Sequence, residues 1–236
     1  MNVLITGASR GIGFELARQF DTGGNKVVAI SRDETRLKEL ARICLQDNPS
    51  SSLITCIFDL EKLNDIDSGL SKILGNEFQE LDVLINNAGY LARKDFMDAG
   101  INEMIKCATV NYLAPARLIA SCLPLLKRSS RAHVVNIGSM GGVQGSKKFP
   151  GLSLYSSAKG ALAVLTECLA EEFAGTNIRF NCLALGAVQT EMLDRAFPGL
   201  KAPITAEGMA AFIKDFAING YDYFNGKIIP VSLATP

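Results

Sequence analysis

The feature that most restricts the fold is an alternation: short runs of β-branched and aliphatic residues are each followed by a longer stretch with apolar residues at helical spacing. The first run, Val3-Leu4-Ile5, stops at Thr6-Gly7-Ala8-Ser9-Arg10-Gly11-Ile12-Gly13, and Phe14, Leu16, Ala17 and Phe20 then recur as one helix face. That is strand, glycine-rich turn, helix. Glycines 7, 11 and 13 let the backbone turn tightly and approach a ligand, and the new helix offers unpaired N–H groups that favour a pyrophosphate. A merely tight βα turn would use such glycines too. Their position between the first strand and the first helix makes them a nucleotide-binding signal.

The alternation continues along the chain. Residues 26–31 read as a second strand, and Asp33 as the N-cap of a helix carrying Leu37, Leu40, Ala41 and Leu45. In a dinucleotide fold the end of this strand lies beside the adenosine ribose, where an acidic residue would bind a free 2′-hydroxyl. Here the strand ends in Ser31-Arg32. Residues 53–58 form a third strand, ending at Asp59-Leu60. A polar amphipathic helix with Ile66, Leu70, Ile73 and Leu74 precedes a fourth strand at 81–85. It runs into Asn86-Asn87-Ala88-Gly89, which is either an ordinary Asn-Gly-type turn or two amides tying strand ends beside two minimal side chains that leave room for a cofactor. Residues 97–126 read as a long helical stretch, with Asn111 among Ile105, Ala108, Leu113 and Ala116, a setting in which Asn commonly bonds backbone. The apolar run 133–137 delivers Ser139 to a loop containing Gly138, Gly141, Gly142 and Gly145. Residues 177–184 are a sixth strand and 227–231 a seventh, preceded by a helix at 206–218. Residues 191–203 lack periodicity, which suits a mobile lid.

Seven strands alternating with helices predict a doubly wound parallel α/β sheet, helices on both faces, with ligands at the carboxyl ends of the strands. Thr6, Ser31, Asp59, Asn86, Ser139 and Thr190 sit at such ends. A length of 236 residues with 48% apolar side chains fits a single domain. Lys plus Arg and Asp plus Glu both total 24, which leaves no net charge for nucleic acid or an anionic membrane surface. Six cysteines without a C-x-x-C, and His133 as the only histidine, point away from a disulfide framework or a zinc site. Met1-Asn2 leads straight into a strand, and the longest apolar candidate, 119–126, is short and interrupted by Pro124. The expectation is a cytoplasmic protein without a membrane segment.

The chemistry centres on Leu154-Tyr155-Ser156-Ser157-Ala158-Lys159-Gly160, the first turns of a helix with a phenol and an ammonium at i and i+4 on one face. Bringing a phenol with a reference pKa of about 10 near neutrality takes about 4 kcal/mol. One cation about 4 to 5 Å away, at an effective dielectric near 20, supplies roughly that much. The pair suffices as a general acid/base. Tyr90 with Lys94 and Tyr223 with Lys227 repeat the spacing, so spacing alone does not choose. Tyr155 is distinguished by Ser139, which can face it across a pocket.

Thr6-Gly7-x-x-x-Gly11-x-Gly13, Asn86-Asn87-Ala88-Gly89, Asn111, Ser139 and Tyr155-x-x-x-Lys159, in this order, resemble the short-chain dehydrogenase/reductase family across nearly the whole chain. The resemblance implies an oxidoreductase acting on a small-molecule carbonyl or alcohol. Ser139 would bond the carbonyl, Tyr155 would pass it a proton, Lys159 would tune the phenol and hold the nicotinamide ribose, and Asn111, in a kinked helix, would fix a water for proton relay. Cofactor contacts would come from Gly7, Ser9, Arg10, Gly11, Ile12 and Gly13 in the turn and from Ser31 and Arg32. Asp59 and Leu60 would lie at the adenine, Asn87, Ala88 and Gly89 along the cofactor, and Val188 and Thr190 at the carboxamide. Arg10 and Arg32 could flank a 2′-phosphate, so the expected cofactor is NADP(H). Three features depart from the family pattern: Leu185 where Pro is usual, a longer segment between Ser139 and Tyr155 that adds Lys147-Lys148-Phe149, and a C-terminus without the frequent Asp-Gly-Gly. A dinucleotide-sensing protein without turnover is the alternative, as is, less readily, an epimerase or dehydratase. The small residues Ser156, Ser157, Gly160, Ala161 and Ala163 suggest close packing against a second subunit in a homodimer or homotetramer.

Overall fold

A computed structural model describes residues 1–233. Seven strands, β1 (Asn2–Thr6), β2 (Lys26–Ser31), β3 (Leu53–Ile57), β4 (Val83–Asn86), β5 (Ala132–Ser139), β6 (Ile178–Leu185) and β9 (Lys227–Val231), form one parallel sheet in the order β3-β2-β1-β4-β5-β6-β9. The chain winds outward from β1 to β3, then returns to place β4 on the other side of β1. That reversal opens a crevice at the carboxyl ends of β1 and β4. A further pair, β7 (Val188–Gln189) with β8 (Ile204–Thr205), lies outside the main sheet.

Side chains alternate across a strand, so each strand feeds two cores. Val3, Ile5, Val27, Ala29, Val135 and Ile137 face one side, where they meet α1 (Gly11–Thr22), α2 (Glu34–Asp47) and α7 (Ala206–Asn219). Leu4, Val28, Ile30, Leu84 and Val134 face the other, against α3 (residues 63–77), α4 (Ile101–Leu126) and α5 (Ser153–Glu172). Asp33 caps α2, accepting from the Arg36 N–H at 3.1 Å as its position predicts.

Three expectations need correction. The segment 191–203 opens with a helix, α6 (Glu191–Ala196), because Thr190 caps it by accepting from the Leu193 N–H at 3.3 Å. α4 ends at Leu126, where the sequence places its end, with Pro124 in the last turn. α4 contains a π turn at Thr109–Leu113 that shifts its phase, so Asn111 is fully buried while Ile105 and Leu113 are exposed. Lastly, Ser156 and Gly160 are small for an intramolecular reason, described below. α4 is the one described helix long and apolar enough to cross a membrane, and 56% of its most apolar window is buried inside the protein. Ala234 to Pro236, part of the atypical C-terminus, lie outside the described residues.

Candidate active site

The glycine-rich turn is shaped by what glycine alone allows. Gly7 and Gly11 have φ of +71° and +55°. A Cβ on Gly7 would stand 2.8 Å from Ala88 Cα, and one on Gly13 would fall on the Gly7 carbonyl and the Asn87 amide. Gly13 therefore shapes the turn and does not line the cleft. Asn87 Nδ2 donates to Thr6 O at 2.9 Å, and Thr6 Oγ1 accepts from the Asn87 and Ala88 N–H groups at 3.1 and 3.0 Å. Asn86 Nδ2 donates to Asn136 Oδ1 at 2.8 Å. The two amides tie β1, β4 and β5 together at the crevice, the second of the two readings the sequence left open.

A cleft of about 490 Å³ opens there. Every residue predicted to be catalytic or to touch the cofactor lines it except Gly13 and Asn111. Asn111 is spent elsewhere: Oδ1 accepts from the Tyr90 N–H at 3.1 Å, and Nδ2 donates to the carbonyls of Tyr90 at 2.7 Å and Cys107 at 2.9 Å. It clasps the loop after Gly89 onto the π turn of α4.

Ser139 and Tyr155 are brought together by glycines. Ser139 Oγ accepts from the Gly141 N–H at 3.2 Å, closing a tight turn. A Cβ on Gly141 would meet Ser156 Oγ at 2.8 Å, and one on Gly142 would meet the backbone of Lys159 and Gly160 at 2.7 and 2.8 Å. This turn lies flat on the first turns of α5, so it, and not a second subunit, accounts for the small residues Ser156 and Gly160.

The electrostatics differ from those expected of an isolated Tyr-Lys pair. Lys159 is buried, and its Nζ donates to the Ile137 carbonyl at 2.7 Å. It lies 5.9 Å from the Tyr155 ring centroid. Burial pushes the phenol up to about 12, against a lowering by hydrogen bonding with Ser139. Burial also draws Lys159 down to about 8. In this state the phenol is therefore a neutral acid and not a depressed one.

The other Tyr-Lys pairs are not equivalent. Tyr90 lies in an irregular segment and donates to Glu103 Oε1 at 2.6 Å, which raises its pKa to about 12. Tyr223 is 79% exposed, and Lys227 belongs to β9.

At the far end of the cleft Arg10 and Arg32 both line the wall beyond β2. Arg32 pairs with Glu61 at 2.8 Å, and Glu61 also holds Lys106 at 2.9 Å. Arg10 pairs with Glu191 at 3.3 Å, and Arg36 with the same carboxylate at 2.8 Å. These interactions, Arg36 first, hold the Glu191 carboxyl below its ordinary pKa. The sequence reading missed Glu61, Glu191 and Arg36, which act through partners distant in the chain. Glu191 alone carried a readable signal, following the capping Thr190.

The model of the short chain dehydrogenase family matches residues 1–201. An uncharacterised oxidoreductase of Staphylococcus saprophyticus is 31% identical over 80% of this chain and 79% of its own length. A dehydrogenase/reductase SDR family protein 7-like of Drosophila melanogaster is 30% identical over 84% of this chain, and the match spans 60% of that longer protein. Among solved structures, the active-site complex of Pseudomonas aeruginosa RhlG with NADP superposes with a TM-score of 0.85 at 26% identity, covering 98% of this chain and 94% of that one.

Proposed function

The chain belongs to the short-chain dehydrogenase family of oxidoreductases, which use nicotinamide dinucleotides, and from that premise we propose that it transfers hydride between NADP(H) and a carbonyl or alcohol carbon, with Tyr155 as general acid/base. The observation that carries this reading is convergence: Tyr155, Lys159, Ser139 and the glycine-rich turn come from separate parts of the chain and line one cleft. The residues fit such a cofactor, because the turn leaves a cradle that a Cβ at Gly11 or Gly89 would begin to fill. A Cβ on Gly89 would stand 3.6 Å from Met192 Cε and 3.9 Å from Lys159 Nζ, both on the cleft wall.

The bound cofactor would supply or accept the hydride. The chain's own groups manage the proton and the geometry. Ser139 Oγ accepts from Gly141, so its proton points away from that turn, toward the Tyr155 oxygen in the free protein and toward a carbonyl oxygen placed between the two. The neutral Tyr155 phenol is the matching acid, and donors fixed in the cleft stabilise the oxygen as charge develops there. Lys159 keeps its charge at neutral pH, and with one N–H on Ile137 it retains others for ribose hydroxyls. Ser31 and Arg32 at the end of β2, with Arg10 from the glycine-rich turn, would select the 2′-phosphate over a free hydroxyl.

Following nicotinamide absorbance with NADPH and a panel of ketones and aldehydes, then NADP⁺ and alcohols, tests the proposal. Turnover is expected; tight cofactor binding with no turnover on any substrate would favour the sensing alternative. We further propose that Ile101, Ile105 and Leu113 of α4 and Val164 of α5, all exposed, pack against a second copy in a homodimer or homotetramer. Sedimentation giving the mass of one chain at micromolar concentration would dispose of that.

A further inference from the structure

The two ends of the cleft treat their cations differently. Near β2, Arg10 and Arg36 are matched by Glu191, and Arg32 and Lys106 by Glu61. Around Phe149 and Phe197 on the cleft wall, Lys147, which lines the cleft, and Arg93, which borders Phe197 outside the lining, have no ion-pair partner among the described residues. Lys147 Nζ lies instead 5.1 Å from the centroid of the Phe149 ring. The Arg93 guanidinium lies 5.0 Å from that of Phe197 and donates to the Ala196 carbonyl at 3.2 Å. The carboxylates of α6 are engaged elsewhere: Glu191 holds Arg36, Arg10 and Arg195, and Asp194 accepts from Gln189 at 2.6 Å.

Local structure holds these groups together. Phe149 and Phe197 meet edge to face, with centroids 5.8 Å apart and planes at 79°. Both line the cleft, as does Lys147. The Lys94 N–H donates to the Gly151 carbonyl at 3.0 Å, and a Cβ on Gly151 would stand 2.9 Å from Arg93 Cγ. Gly151, with φ of +81°, thus lets the Arg93 segment lie directly on the loop that carries Lys147 and Phe149. Two cations from distant parts of the chain are seated beside one aromatic pair.

Resting on the reading of this cleft as a carbonyl site, the geometry points to a substrate with an apolar body and an anionic group, carboxylate or phosphate monoester, remote from its carbonyl. Phe149, Phe197, Leu152 and Met192 take the body. Lys147 and Arg93 take the anion. A cation on an aromatic face has part of its hydration replaced by the ring, so a carboxylate arriving there displaces an incomplete hydration shell and no competing carboxylate. Arg93 adds a planar fork suited to either oxyanion.

The test is steady-state reduction by the full chain with NADPH of methyl-ketone carboxylic acids of increasing chain length, the methyl ester of each, and phosphate monoesters of the matching hydroxyketones. At the length that reaches the mouth, KM for the charged compound is expected to fall about fivefold to tenfold below that of the ester, the worth of one or two partly exposed ion pairs. Added salt shrinks the gap. Arg93→Gln narrows the ratio, and Lys147→Glu reverses it. A larger gap for the phosphates than for the carboxylates assigns a phosphate end. Equal KM for acid and ester at every length, or a ratio unchanged in Lys147→Glu, overturns the inference and leaves the carbonyl reading standing. No reduction of any compound would instead refute carbonyl reduction. Calorimetric binding of the same carboxylates to wild type and Lys147→Glu then still decides whether the mouth takes an anion: binding lost in the variant supports it, and equal or absent binding overturns it.

Discussion

Replacing Arg10 and Arg32 by alanine isolates what a 2′-phosphate contributes to cofactor binding. Each charged contact to a phosphate contributes roughly 1.5 to 3 kcal/mol. Each arginine must first leave a carboxylate. Arg32 leaves Glu61, with side chains 59% and 30% exposed, and Arg10 leaves Glu191, at 43% and 45%. Pairs this accessible are worth about 0.2 to 1 kcal/mol. The net gain is then about 1 to 2 kcal/mol per arginine, or about 5-fold to 30-fold in Kd. Arg10→Ala and Arg32→Ala should each weaken NADPH binding by that factor while NADH binding changes less than about twofold. Glu191→Gln works in the opposite sense. It frees Arg10 and Arg36 together, so NADPH should bind about twofold to fivefold more tightly and NADH should be unaffected. Titration by nicotinamide fluorescence at low and moderate salt gives all these constants, and the differences should shrink as salt rises. Equal wild-type affinities for NADPH and NADH, or a ratio that survives loss of both arginines, would refute the reasoning.

Two further predictions concern protons. His133 is buried in β5, with Nδ1 3.0 Å from the Ala217 carbonyl and Nε2 2.9 Å from the Asn181 amide nitrogen, so the ring must be neutral with its proton on Nδ1. Burial draws its pKa from 6.5 down to about 4, so between those values the unfolded chain binds more protons and stability falls as pH falls. About 2 kcal/mol should be lost between pH 7.5 and pH 5; urea melts would measure it, and His133→Gln should flatten the slope. Lys159 in the free protein loses its charge above about 8. Cofactor affinity should therefore weaken several-fold from pH 7 to pH 9 and become both weaker and pH-independent in Lys159→Met; a wild-type affinity flat over that range would contradict its role at the ribose.

The sheet, the glycine-rich turn and the grouping of Ser139, Tyr155 and Lys159 were legible because each rests on a local period or on glycines with a single structural use. β7 and β8 were not, since two-residue strands carry no period. The phenol's environment was also hidden. Spacing placed Lys159 on the face of Tyr155, but its rotamer turns the ammonium to Ile137. Small residues on α5 suggested a second subunit, because spacing shows only that something approaches closely; at Ser156 and Gly160 that neighbour is the turn of Gly141 and Gly142. Glu61 and Glu191 pair with arginines far away in sequence, so their part in the cleft required the fold.

The central claim is that the Tyr155 phenol carries the proton. Its most direct test is single-turnover carbonyl reduction by Tyr155→Phe, with cofactor affinity measured on the same protein and Tyr223→Phe as the control for an exposed phenol of identical spacing. The account predicts a loss of about 100-fold or more in the chemical step for Tyr155→Phe, with its cofactor affinity and fold retained and Tyr223→Phe near wild type. A Tyr155→Phe protein that still turned over at near wild-type rate would contradict it.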